Sequence, residues 1–186
     1  MKVNMGRGKW LKNEFVEKTK VRAIIKTNDN RFLMVNYGGV LMFPGGKLED
    51  NEYLIPAILR KLEEELGVEY SPYELEPLII FKQIQPNYLT REGKVENRII
   101  NTFYYVAPYK GIDLKNRQLS QNEKEGKVKL EFLAEYEINE FLHKNKTKNP
   151  RKKYFNEELE NILKTYNYKT KGKIKTLSLN EKHLVK

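Results

Sequence analysis

The residues able to do chemistry in this chain crowd into one short stretch. Gly45-Gly46-Lys47 leads to Glu49 and Glu52. After seven intervening residues come Arg60-Lys61-Leu62-Glu63-Glu64-Glu65-Leu66-Gly67-Val68. A double glycine lets main chain approach a ligand that a Cβ would hold off. Glu49, Glu52, Glu64 and Glu65 can converge where that loop meets the segment behind it. Clustered carboxylates repel one another, so a cation should hold them, and oxygen donors favour Mg²⁺ or Mn²⁺. The other outcome for three consecutive glutamates is a solvated helix face with no ligand. The rest of the composition narrows the chemistry. There is no cysteine, and the two histidines, His143 and His183, fall in the C-terminal quarter. Disulfides, thiolate metal sites, cysteine nucleophiles, a histidine cage and a Ser-His-Asp triad in the body of the chain are excluded. What remains must run on carboxylates, Lys, Arg and Tyr.

These residues need a loop and a helix to position them, and the pattern supplies both. Ile55, Ile58, Leu59, Leu62 and Leu66 form one stripe at helical period, which predicts a helix over Leu54 to Leu66. Glu64 falls opposite that stripe, flanked by Arg60, Lys61 and Glu65. Gly67 stands where a glycine ends a helix, and Pro56 is tolerable if the helix starts near Leu54. Ahead of the loop, Val21 to Ile25 and Phe32 to Tyr37 read as strands joined by the Asn28-Asp29-Asn30 turn. Val40 to Phe43 is a third strand, stopped by Pro44-Gly45-Gly46. Downstream, Leu78 to Ile84, Ile99 to Ala107 and Val128 to Leu133 are strand-like, with Gln85 to Asn97 and Ile112 to Lys127 as polar loops. A short helix over Asn139 to His143 and a longer one over Tyr154 to Tyr168 follow. From Lys169 onward the pattern fades.

The stretch from Gly46 to Val68 resembles the Nudix box, G-x5-E-x7-R-E-U-x-E-E-x-G-U with U aliphatic. Gly46, Glu52, Arg60, Leu62, Glu64, Glu65, Gly67 and Val68 match in register, as do the preceding Phe43-Pro44-Gly45 and the extra Glu49. The resemblance implies an α/β fold, a Nudix-like α/β/α sandwich with a central mixed β-sheet. It implies Mg²⁺-dependent (or Mn²⁺-dependent) hydrolysis of a nucleoside diphosphate linked to another moiety. In that reading the Gly45 carbonyl, Glu64 and Glu65 are metal ligands, with Glu52 and Glu49 in support, and Arg60 orients the glutamates. Glu125, or else Glu123, is the candidate base, taken from the loop beyond the box. Tyr37, Phe43 and the Tyr104-Tyr105 pair offer rings to a base, although aromatics on strands are more often core.

The departure from the box is Lys61, where the family has glutamate. Glu63 does not replace it, because two helical residues span 200° and point it elsewhere. An ammonium ~5 Å from a divalent cation is repelled by about 7 kcal/mol at an effective dielectric of ~20. Lys61 must therefore swing onto Glu64 or Glu65, or grip substrate phosphate, or mark a site whose usual chemistry is lost. The last outcome describes a nucleotide-binding or regulatory domain with weak catalysis.

Charge is uneven along the chain. Of a formal +10, the segment 143–186 carries 13 Lys+Arg against 4 Asp+Glu, and the preceding body is near neutral. The basic tail offers RNA a contact, so an RNA 5′-end pyrophosphohydrolase is a further alternative. A Lys-biased composition accounts for the same excess. The expected organisation is a lead-in segment over 1–19, the Nudix-like domain over 20–168 and the tail over 169–186. With no bilayer-length apolar run, no secretory leader and no cysteine, the expectation is a cytoplasmic protein without a membrane partner, acting on a nucleotide-type small molecule. The sequence leaves its oligomeric state open, a dimer included.

Overall fold

The computed structural model describes residues 3–5, 15–90, 92–119, 124, 128–146 and 149–181. Eight strands form one mixed sheet: β1 (Val3–Met5), β2 (Phe15–Lys26), β3 (Phe32–Tyr37), β4 (Val40–Met42), β5 (Gly45–Lys47), β6 (Glu76–Leu89), β7 (Val95–Pro108) and β8 (Lys129–Leu133). Their order is β1-β6-β7-β2-β3-β4, with β5 paired to β2 and β8 to β3. The β1·β6 and β2·β7 pairs are parallel, and the other pairs are antiparallel. Helix α1 (Leu54–Leu66) covers one face of the sheet. Helices α2 (Glu135–Lys144) and α3 (Pro150–Glu181) cover the other, so the α/β/α sandwich is the observed architecture.

Strand alternation explains the two layers, because successive side chains of one strand serve opposite faces. On β2, Val21, Ala23 and Ile25 pack against Ala57, Ile58, Leu62 and Leu66 of α1. Ile24 enters the second core with Phe32, Phe43, Phe81 and Tyr104 beneath Leu159 and Ile162 of α3. Removing such side chains from water contributes roughly 1.5–3 kcal/mol apiece. The helical stripe expected from spacing is thus the face α1 buries.

Five elements are longer than their apolar patterns. Strand β2 begins at Phe15 rather than Val21, because its first turns pair with β7 through main chain from Phe15↔Asn97 onward. The polar side chains there find partners, Lys18 Nζ on Glu96 at 3.2 Å and Asn101 Nδ2 on Glu17 at 2.5 Å. The Gln85–Asn97 stretch is a strand hairpin to Leu89 and from Val95, with a bulge between Gln85 and Tyr88 and only a tight turn between the strands. Helix α2 starts at Glu135, where the Glu137 carboxylate accepts the Ala134 N–H at 2.7 Å. Helix α3 runs from Pro150, whose missing N–H costs nothing in a first turn, through residue 181. The 3-10 turn Pro72–Glu74 is closed by a capping box between Ser71 and Glu74.

Candidate active site at the glycine loop

Glycine is obligatory at two points of the site. Gly45 lies at φ +131, paired to Arg22 on β2, and a Cβ there would stand 2.2 Å from the Val21 carbonyl oxygen. Gly67 ends α1 at φ +70, donating its N–H to the Glu63 carbonyl at 2.8 Å. Its Cβ would stand 2.0 Å from the Asp113 carbonyl oxygen. At the other end of α1, the first helical bond runs from Ala57 N–H to Tyr53 carbonyl, so Pro56 sits among the first-turn residues that need no donor.

Between those glycines, charged side chains form one lattice. Arg60 grips Glu52 with two parallel bonds, Nε to Oε1 at 2.8 Å and Nη2 to Oε2 at 2.6 Å. Its Nη1 donates to Glu64 Oε1 at 2.9 Å and lies 3.4 Å from Glu49 Oε1. Glu52 also accepts the Glu49 N–H at 2.9 Å, which closes the turn before the helix. Lys61 takes the second oxygen of Glu64 at 2.5 Å, and its aliphatic stem lies against the Gly46 Cα. Glu65 is buried, its Oε2 accepting the Gly45 N–H at 2.7 Å. The expectation that Glu65 shares the exposed side with Glu64 is therefore corrected: β5 packs on that flank of α1, and the buried Gly45 N–H needs an acceptor.

The electrostatics follow these contacts. The Arg60 hydrogen bonds hold the Glu52 carboxyl below the usual range, and the Glu49 N–H reinforces them. Burial pushes Glu64 upward, but hydrogen bonds from Lys61 and Arg60 outweigh it and leave the carboxyl lowered. The Glu52 hydrogen bond raises Arg60 above its usual value. Both glutamates are thus held as anions.

The donor set fits a hard divalent cation of the Mg²⁺ class in part. Glu65 bonds the Gly45 N–H of the loop, and Glu64, its neighbour on α1, collects two cationic groups. Among the described residues no three carboxylate or imidazole side chains stand close enough to enclose an ion. Mg²⁺ is commonly held by one or two carboxylates completed by substrate phosphates, and that smaller set is present here.

The loop that follows β7 is anchored to the end of α1. Asp113 N–H donates to the Leu66 carbonyl at 2.8 Å, Gln118 N–H to the Glu64 carbonyl at 2.9 Å, and Arg117 Nε to the Glu65 carbonyl at 2.6 Å. Arg117 and Gln118 carried no sequence signal, because only the fold brings them to these carbonyls. Glu123 and Glu125 lie outside the described residues. Phe43 is fully buried, edge-on to Phe32 and Tyr104, so its ring does not reach a ligand surface; Tyr104 and Tyr105 are core as well. Tyr37 is half-buried at the end of β3, opposite Val40.

Residues 17–159 match the NUDIX domain family, and the chain belongs to that family. A 41-residue stretch is 54% identical to the 8-oxo-dGTP diphosphatase of Proteus vulgaris, covering 22% of this chain and 37% of that protein. Similar solved structures include the MutT protein of Bacillus halodurans, at 24% identity over 74% of this chain and 79% of that one, TM-score 0.45. Another is the MutT protein of Methanosarcina mazei Go1, at 16% identity over 80% and 98% of the two chains, TM-score 0.47.

Proposed function

We propose that this protein is a pyrophosphohydrolase using Mg²⁺ or Mn²⁺, which cleaves a nucleoside diphosphate linked to another moiety. The observation that carries this reading is the lattice of Arg60 with Glu52, Glu64 and Glu49 beside a glycine loop whose Gly45 N–H is clamped by Glu65. Glu64, Glu65 and the Gly45 carbonyl would hold the ion, with Glu52 and Glu49 supporting. The ion supplies charge neutralisation at phosphate and acidifies a water. Arg60 fixes the glutamate rotamers by charge-assisted bonds before substrate arrives. The Lys61 stem lies against Gly46, and its ammonium can pass from Glu64 to an incoming phosphate oxygen. Glu125 is proposed as the base, with Glu123 second.

Glu64→Gln tests the assignment. Mg²⁺-dependent turnover of a nucleotide panel should fall by at least the ~10–100-fold that loss of an outer-shell partner alone costs, with the thermal midpoint retained. Normal turnover in that variant at ordinary Mg²⁺ removes Glu64 from the mechanism. The 2.5 Å contact of Lys61 on Glu64 favours a second reading, a nucleotide-binding domain with weak catalysis. Measured nucleotide binding without turnover across the panel would select it. An RNA 5′-end substrate is the reading favoured by the basic tail, and triphosphorylated RNA belongs on the same panel.

A further inference from the structure

The face of the sheet under α3 carries cations where a core strand would place apolar residues. Lys18, Lys20 and Arg22 alternate on β2 and so point to one face, the face that Ile24 continues into the second core. Lys47 lies opposite Lys20 in register, directly after the loop glycines, and Arg98 joins them from β7. The row grades from solvent to interior: Lys47 is exposed, Lys18, Lys20 and Arg98 are half-buried, and Arg22 is buried. Glu96 takes Lys18 and Arg98, and Glu158 of α3 lies 3.9 Å from Arg22 Nε while accepting the Tyr104 hydroxyl at 2.7 Å. Lys20 instead places its ammonium 5.1 Å from the centre of the Phe155 ring. Burial lowers Lys20 to about 8, Glu158 opposes that, and Arg22, Lys47 and Arg98 deepen it.

A second, independent feature lies on the same face. Thr102 is paired in register with Lys20 and fully buried, and its Oγ1 has no hydrogen-bond partner. A buried hydroxyl without a partner calls for a reason, and an anion drawn to the cations beside it would accept that hydrogen bond. An excess of partly buried cations is costly until an anion arrives, and the cost is then recovered as affinity.

We infer that the row Lys18, Lys20, Arg22, Lys47 and Arg98, with Thr102, binds a second phosphoryl group of the substrate, distinct from the diphosphate that is cleaved. The inference rests on the hydrolase reading above and deepens it: preferred substrates carry a phosphate on the moiety beyond the diphosphate. Lys47 is the solvent-exposed end of the row, and Phe155 of α3 covers Lys20 further in.

Matched pairs differing by one phosphate monoester test this, NADP against NAD and coenzyme A against dephospho-coenzyme A. The parent should favour the phosphorylated member by 10-fold or more in kcat/KM. Lys20→Met should collapse that preference toward unity, and Lys20→Arg should restore it. In parallel, inorganic tripolyphosphate is titrated calorimetrically into metal-free protein. Lys20→Met should weaken its binding at least 10-fold, whereas Lys164→Met, at a solvent-facing pair with Glu160, should not. Equal tripolyphosphate affinity in the parent and Lys20→Met, or a substrate preference that survives Lys20→Met, overturns the inference and leaves the hydrolase assignment standing. Tripolyphosphate binding that depends on Lys20, without turnover of any nucleotide, overturns the hydrolase assignment and leaves the anion site standing.

Discussion

Arg60 and Lys61 are neighbours of like charge that meet on Glu64, one on each oxygen. Arg60 is tied down by Glu52 as well, whereas the Lys61 ammonium rests on Glu64 over a flexible stem lying on Gly46. Lys61 is therefore the residue that competes with a metal ion for Glu64. Lys61→Glu removes the competing ammonium and adds a hard oxygen donor, so Mg²⁺ should bind more tightly, measured by Mn²⁺ paramagnetic resonance or calorimetry. Unchanged affinity would end that charge argument. If Lys61 grips substrate phosphates instead, the same variant should raise KM, and Glu125→Gln should be the more damaging change. Glu52 makes a pH argument at the same scale. Its carboxyl is depressed, so its contribution to stability is full above the unfolded value near ~4.3 and is lost as pH falls through the folded value. Arg60→Met removes the main cause of that depression. The acid-unfolding midpoint should then move to higher pH, and an unmoved acid limb would show that the Arg60–Glu52 pair does not hold the loop.

At the scale of elements, the site depends on how α1 ends and what docks there. Gly67 turns the chain in the left-handed region directly against the Asp113 carbonyl, while Arg117 and the Gln118 N–H take the Glu65 and Glu64 carbonyls. Gly67→Ala puts a methyl into backbone as well as straining φ, so the cost should exceed the roughly 1 kcal/mol of the conformational term alone. A domain of this size loses about 2–4 °C per kcal/mol, and a thermal midpoint lowered by at least that much is expected. A Gly67→Ala protein that melts with the parent would show that the loop after β7 retreats without cost.

For the whole molecule, the sandwich places α1 and α3 on opposite faces of one sheet, and β2 links both layers. Among the described side chains of α3, the buried ones run from Glu158 to Tyr166. A chain ending after Tyr168 loses the exposed Lys169 bond to the Leu78 carbonyl but none of that packing. It should keep its specific activity on mononucleotides in a steady-state assay. Loss of activity in a truncated protein that still folds would place the basic segment in the active site.

The sequence by itself determined what depends on neighbours a few residues apart. The α1 stripe, the Gly67 stop and the tolerance of Pro56 follow from helical period and short spacing, and the role of Arg60 in orienting the glutamates followed from the resemblance to the Nudix box. Tertiary structure decided what long-range pairing controls. The polar first half of β2 carries no apolar alternation, yet it is strand because β7 offers a parallel partner along its whole length. Glu65 is buried because β5 lies against its side of α1, a contact that helical spacing alone does not contain. The cationic row exists only because β2, β5 and β7 are brought side by side and roofed by α3. Hydropathy records the preference of each side chain for water, whereas backbone pairing and buried charge are settled by partners distant in the chain.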